Sequence, residues 1–63
     1  MTDFEKMVAR LRDTDNCPYV EGRHFEIWDW ESGPKTIEMR PSTFSEEWIS
    51  FHYDENGNLK RIS

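Results

Sequence analysis

Sixty-three residues with 13 acidic and 8 basic side chains carry a formal charge of -5, and 35% of the chain is hydrophobic. That length makes one small domain, residues 1–63, able to bury only roughly 60% of its unfolded surface. The acidic balance argues against direct binding to nucleic acid, which needs Lys and Arg to release counterions. The one cysteine, Cys17, leaves no internal disulfide to stabilise the fold.

The start predicts a helix. Thr2-Asp3-Phe4-Glu5 has a hydroxyl at the N-cap and a carboxylate three residues on, the pattern of a capping box. Phe4, Met7, Val8 and Leu11 follow as one apolar stripe with helical spacing. Asp3 and Glu5 suit the positive end of the helix, and Arg10 and Arg12 the negative end. Asp-Thr-Asp-Asn-Cys-Pro is turn chemistry, so the helix should stop near Asp13 or Thr14.

Tyr19 to Gly22 reads as an edge strand or a loop. His24 to Trp30 is rich in strand formers. Glu31-Ser32-Gly33-Pro34 reads as a turn. Lys35 to Arg40 alternates, with Ile37 and Met39 opposite Thr36, Glu38 and Arg40. Pro41 to Ser45 breaks the pattern. Trp48 to Tyr53 alternates again, with Ile49, Phe51 and Tyr53 opposite Trp48, Ser50 and His52. Asn56-Gly57 is a hairpin signal, and Leu59 to Ile62 can return as a last strand. The short connections favour an antiparallel meander. The expected architecture is α+β: an N-terminal helix packed on a small antiparallel β-meander of three to four strands. Ile37, Met39, Ile49, Phe51 and one of Phe25 or Ile27 should meet the helix stripe.

The first strand leaves two orientations open. Phe25 and Ile27 point one way, and Trp28 and Trp30 the other. With Phe25 and Ile27 under the helix, Trp28, Trp30 and Trp48 lie on the open face beside Glu26 and His52. In the opposite orientation the tryptophans are core. A sheet curled into a half-barrel would bury both sets.

Chemistry-bearing motifs are sparse. His24, His52 and Cys17 lack the paired spacing of a zinc site, and nothing beside Cys17 in sequence activates a thiolate. Asp54-Glu55-Asn56-Gly57-Asn58 places its glycine fourth, where a calcium-binding EF-hand needs it sixth. There is no phosphate-binding glycine loop. The expectation is a non-enzymatic protein with no cofactor and no metal.

The acids are unevenly placed. Residues 13 to 31 hold Asp13, Asp15, Glu21, Glu26, Asp29 and Glu31 against Arg23, and residues 46 to 55 hold Glu46, Glu47, Asp54 and Glu55. All three tryptophans fall in or beside these stretches. Tryptophan anchors many protein interfaces, and acidic complementarity speeds and salts-tunes encounter with a basic surface. The expected partner is therefore a protein with a basic, nucleic-acid-binding surface, and the expected contact set is Glu26, Trp28, Asp29, Trp30, Glu31, Glu46, Glu47 and Trp48. In size and charge the chain resembles the small acidic anti-restriction and anti-CRISPR proteins of bacteriophages, which implies an inhibitor or adaptor mimicking nucleic-acid phosphates. The alternative is a homodimer or accessory subunit joined through the tryptophan face. The polar, acidic start is unlike a signal peptide, and no apolar run approaches the roughly 20 residues of a membrane span. A cytoplasmic location follows as the expectation, in the host cytoplasm if the chain is phage-encoded.

Overall fold

The computed structural model describes residues 1–30 and 33–63. Helix α1 (Asp3–Leu11) is followed by strands β1 (Phe25–Asp29), β2 (Lys35–Met39), β3 (Ile49–Tyr53) and β4 (Leu59–Ile62). The strands form one antiparallel meander in the order β1-β2-β3-β4.

The capping box forms as the sequence implies. Thr2 Oγ1 accepts from the Glu5 N–H at 3.1 Å, and Glu5 Oε1 accepts from the Thr2 N–H at 3.0 Å. The backbone contact to Thr2, then its side chain, holds the Glu5 carboxyl below its ordinary range. The helix ends at Leu11, slightly before the expected Asp13 or Thr14. Asp13 starts a turn instead: its carbonyl accepts from the Asn16 and Cys17 N–H groups, and its carboxylate accepts from Asn16 Nδ2 at 2.8 Å. Such local side-chain bonds compete with helix propagation. Arg12 then reaches Glu21 with two hydrogen bonds, at 3.1 and 3.2 Å.

Tyr19 to Gly22 forms a loop with a single bridge, Glu21 to Phe25. The loop closes through the Val20 N–H, which donates to His24 Nδ1 at 3.0 Å. The predicted turn at Glu31 and Ser32 lies outside the described residues.

The register decides the orientation of β1. Phe25 pairs with Met39 and Ile27 with Ile37, while Ile37 pairs with Phe51. Phe25 and Ile37 are fully buried beneath Phe4 and Leu11, joined by Tyr53, whose ring meets Phe4 edge-on at 5.3 Å. The opposite orientation would bury Glu26 and Glu38, which face each other across β1 and β2. Burying two unpaired carboxylates costs far more than two indoles gain. Met7, Val8, Ile27, Met39 and Phe51 pack against this core. Ile49, expected inside, is 46% exposed. A nine-residue helix is only about 14 Å long and about 10 Å wide, and Ile49 at the start of β3 lies beyond its footprint.

The last hairpin docks the helix. The Gly57 N–H donates to the Asp54 carbonyl at 3.0 Å, and the Asp54 N–H to the Asn58 carbonyl at 2.9 Å. Gly57 has φ +85°, while Asn56 stays at negative φ. The connection is thus a three-residue loop ending in a left-handed glycine, a relative of the two-residue Asn-Gly turn. The Gly57 carbonyl accepts from the Phe4 N–H at 2.9 Å, and Asp3 Oδ2 accepts from the Leu59 N–H at 3.0 Å. These two bonds fix α1 over one face of the sheet.

Candidate protein-binding face

Strand alternation sends every second residue of the sheet away from the helix. Glu26 and Trp28 of β1 point there. Cross-strand register then builds two rows: Glu26, Glu38 and Ser50, and next to it Trp28, Thr36, His52 and Arg61. Among the described residues no element covers this face. Trp28 is 43% exposed and Trp30, just past the end of β1, is 63% exposed.

Glu26 and Glu38 stand directly opposite one another. Like charges in that position destabilise a sheet. The ion pairs among the described residues are Arg12 with Glu21 and Lys35 with Asp29, and neither glutamate takes part. The β1–β2 side of the open face thus holds two carboxylates that meet no cation among the described residues, beside a half-exposed indole. Glu38 was absent from the contact set read from the sequence, although its signal was legible: it alternates with Ile37 and Met39, and the β1–β2 register sets it beside Glu26.

The remaining expected contact residues do not all gather here. Asp29 belongs to the helix side of β1 by alternation, where its Oδ1 receives Lys35 Nζ at 2.7 Å. Glu31 lies outside the described residues. Trp48 shares the open side but precedes β3, at the opposite end of the sheet from Trp30. Two strand spacings and about four residues separate it from Trp28, roughly 16 Å by strand geometry. Its ring is covered by the guanidinium of Arg40 at 4.5 Å. Arg40 is itself held by donating Nε to the Arg23 carbonyl at 2.6 Å and Nη1 to the Ser45 carbonyl at 3.2 Å. Trp48 is therefore engaged within the chain. Glu46 and Glu47 are exposed in the 40–48 connection at that same far end. Phe44 in this connection is 94% exposed, an aromatic that its loop-like surroundings in the sequence did not single out.

Both histidines serve local structure. His24 accepts from Val20, and His52 Nε2 lies 2.8 Å from Ser63 Oγ. Cys17 is half-buried against the core. Among the described residues no three His, Cys, Asp or Glu side chains are grouped to hold a metal ion, and no helix is long and apolar enough to cross a membrane. The chain matches no known protein family, no curated protein and no solved structure.

Proposed function

We propose that the chain is a non-enzymatic binding protein, an inhibitor or adaptor, that docks its open sheet face on a basic, nucleic-acid-binding surface of a protein partner. The observation that carries this reading is the cross-strand couple Glu26–Glu38, in no ion pair among the described residues, beside Trp28. Two carboxylates in neighbouring cross-strand positions offer an arriving Arg or Lys a negative site. Trp28 and Trp30 supply the apolar anchor, since desolvated aromatic residues dominate interface energy. Phosphate groups of nucleic acid would meet repulsion at the same place. Small acidic phage proteins that occupy the nucleic-acid-binding grooves of proteins offer an analogy of class.

The contact set narrows accordingly to Glu26, Trp28, Trp30 and Glu38. Glu46 and Glu47 extend it only if the partner spans the full length of the sheet. A paired test separates anchor from charge: Trp28→Ala and the double reversal Glu26→Lys/Glu38→Lys. Each should reduce capture of nucleic-acid-binding proteins from a lysate at low salt, with circular dichroism unchanged. Undiminished capture by both variants removes this assignment. Light scattering on the free chain addresses the alternative, since a dimer dispersed by Trp28→Ala would make a second copy the partner of this face.

A further inference from the structure

The helix side of the sheet carries a second, different surface. Four strands span about 14 Å between outer axes, and one helix about 10 Å wide covers only part of that. The uncovered part runs along β3 and β4 beside the helix. It forms a groove of about 500 Å³ whose apolar lining includes Met1, Met7, Phe51 and Leu59. Phe51 continues into a neighbouring hollow of about 200 Å³ with Met39, Ile49 and Tyr19. Ile62, opposite Phe51 in the register, adds another exposed apolar side chain.

The groove's charges run against those of the chain. Its wall on the helix flank carries Lys6 and Arg10, one turn apart. Among the described residues neither enters an ion pair. The one carboxylate in the lining, Asp3, is bound to the Leu59 N–H. A protein of charge -5 thus sets two basic side chains beside an uncovered apolar groove.

We propose that this groove receives an acidic amphipathic helix of a partner protein. The occupant would lie alongside α1, its apolar stripe on Phe51 and Leu59 and its carboxylates on Lys6 and Arg10. Complementary charge selects against the other occupants. A second copy inserting its own α1 would bring Lys6 and Arg10 against their equivalents. An extended segment adding to β4 finds the Leu59 N–H already taken by Asp3, and a register shift of the β3–β4 pair between His52 and Tyr53 disturbs the ladder it would continue. This surface is independent of the Trp28 face, so the failure of one proposal leaves the other standing.

The probe is a synthetic helix of about 12 residues, long enough to follow the five residues of β3. Leucines occupy one face at helical spacing and glutamates the rest, and a control replaces the glutamates with lysines. Amide and methionine-methyl NMR should show shifts at Met1, Met7, Phe51 and Leu59 with the acidic helix, and affinity at least about tenfold above the control. Lys6→Glu/Arg10→Glu, both exposed and expected to fold normally, should reverse that preference. Equal affinity for the two helices, no shift with either at millimolar concentration, or shifts centred on Glu26 and Trp28 would overturn the proposal. So would light scattering that shows a dimer dispersed by Lys6→Glu/Arg10→Glu, since the occupant would then be a second copy.

Discussion

Gly57→Ala should be among the most damaging single substitutions in this chain. A Cβ at Gly57 would lie 2.6 Å from Thr2 Oγ1 and 2.8 Å from Thr2 Cβ. Those atoms belong to the N-cap of α1, which is held against the hairpin by the Phe4 N–H to Gly57 bond. They cannot yield without moving the helix end. Alanine also pays about 1–2 kcal/mol for the left-handed conformation, and overpacking adds about 1–3 kcal/mol. A combined loss of about 2–5 kcal/mol is a large fraction of the stability of a domain this size, about 3–9 kcal/mol at typical values per residue. At about 4–8 °C per kcal/mol, Tm should fall by roughly 8–40 °C.

Gly22 supplies the internal control. It has nearly the same φ, +88°, but nothing within 4 Å of a built Cβ. Gly22→Ala should therefore lose only the conformational part, about 1–2 kcal/mol. Urea and thermal unfolding followed by circular dichroism measure both. Equal losses for the two variants would refute the claim that the Thr2–Gly57 contact fixes the helix on the sheet. Thr2→Gly in the Gly57→Ala background, which removes the opposing side chain, should recover part of the difference.

Other outcomes follow from the same contacts. Glu5 is held below its ordinary pKa by the Thr2 backbone, and Asp54 by the backbone N–H of Asn58 and then of Asn56, both bonds at 2.9 Å. Depressed carboxyls contribute stability above the unfolded carboxylate pKa and lose it as pH falls through the folded value. Urea midpoints should therefore decline on the acid side, with a shallower decline in Glu5→Gln/Asp54→Asn; matching slopes would contradict these bonds. Acrylamide should quench most of the tryptophan emission, and Trp28→Phe/Trp30→Phe should leave a bluer, less accessible remainder from Trp48 under Arg40. A remainder as accessible as the parent would show that the Arg40 stack does not form.

The fold was legible because its signals were local and mutually consistent. Thr2 and Glu5 marked the helix start, the 4–7–8–11 stripe its buried side, and the alternation of Lys35–Arg40 and Trp48–Tyr53 two strands. The site was legible only in part. Trp28 and Glu26 could be assigned to one side of β1, but which side faced the helix depended on pairing with β2, a non-local fact. Distance along the chain also misled. Glu46, Glu47 and Trp48 are acidic and aromatic like residues 26–30, yet the meander sends them to the far end of the sheet. Glu38, separated from Glu26 by a turn, becomes its direct neighbour. The Arg40–Trp48 stack combines a strand end with a loop and leaves no pattern in sequence beyond the presence of the two residues.

The most direct measurement is an amide and indole NMR titration of the intact chain with a short arginine-rich peptide, at low and then high salt. Saturable shifts at Glu26, Trp28, Trp30 and Glu38, lost in Glu26→Gln/Glu38→Gln and weakened by salt, are the predicted result. A peptide that leaves those residues unmoved, or that shifts Glu46 and Glu47 while the β1–β2 side of the open face stays silent, would contradict it.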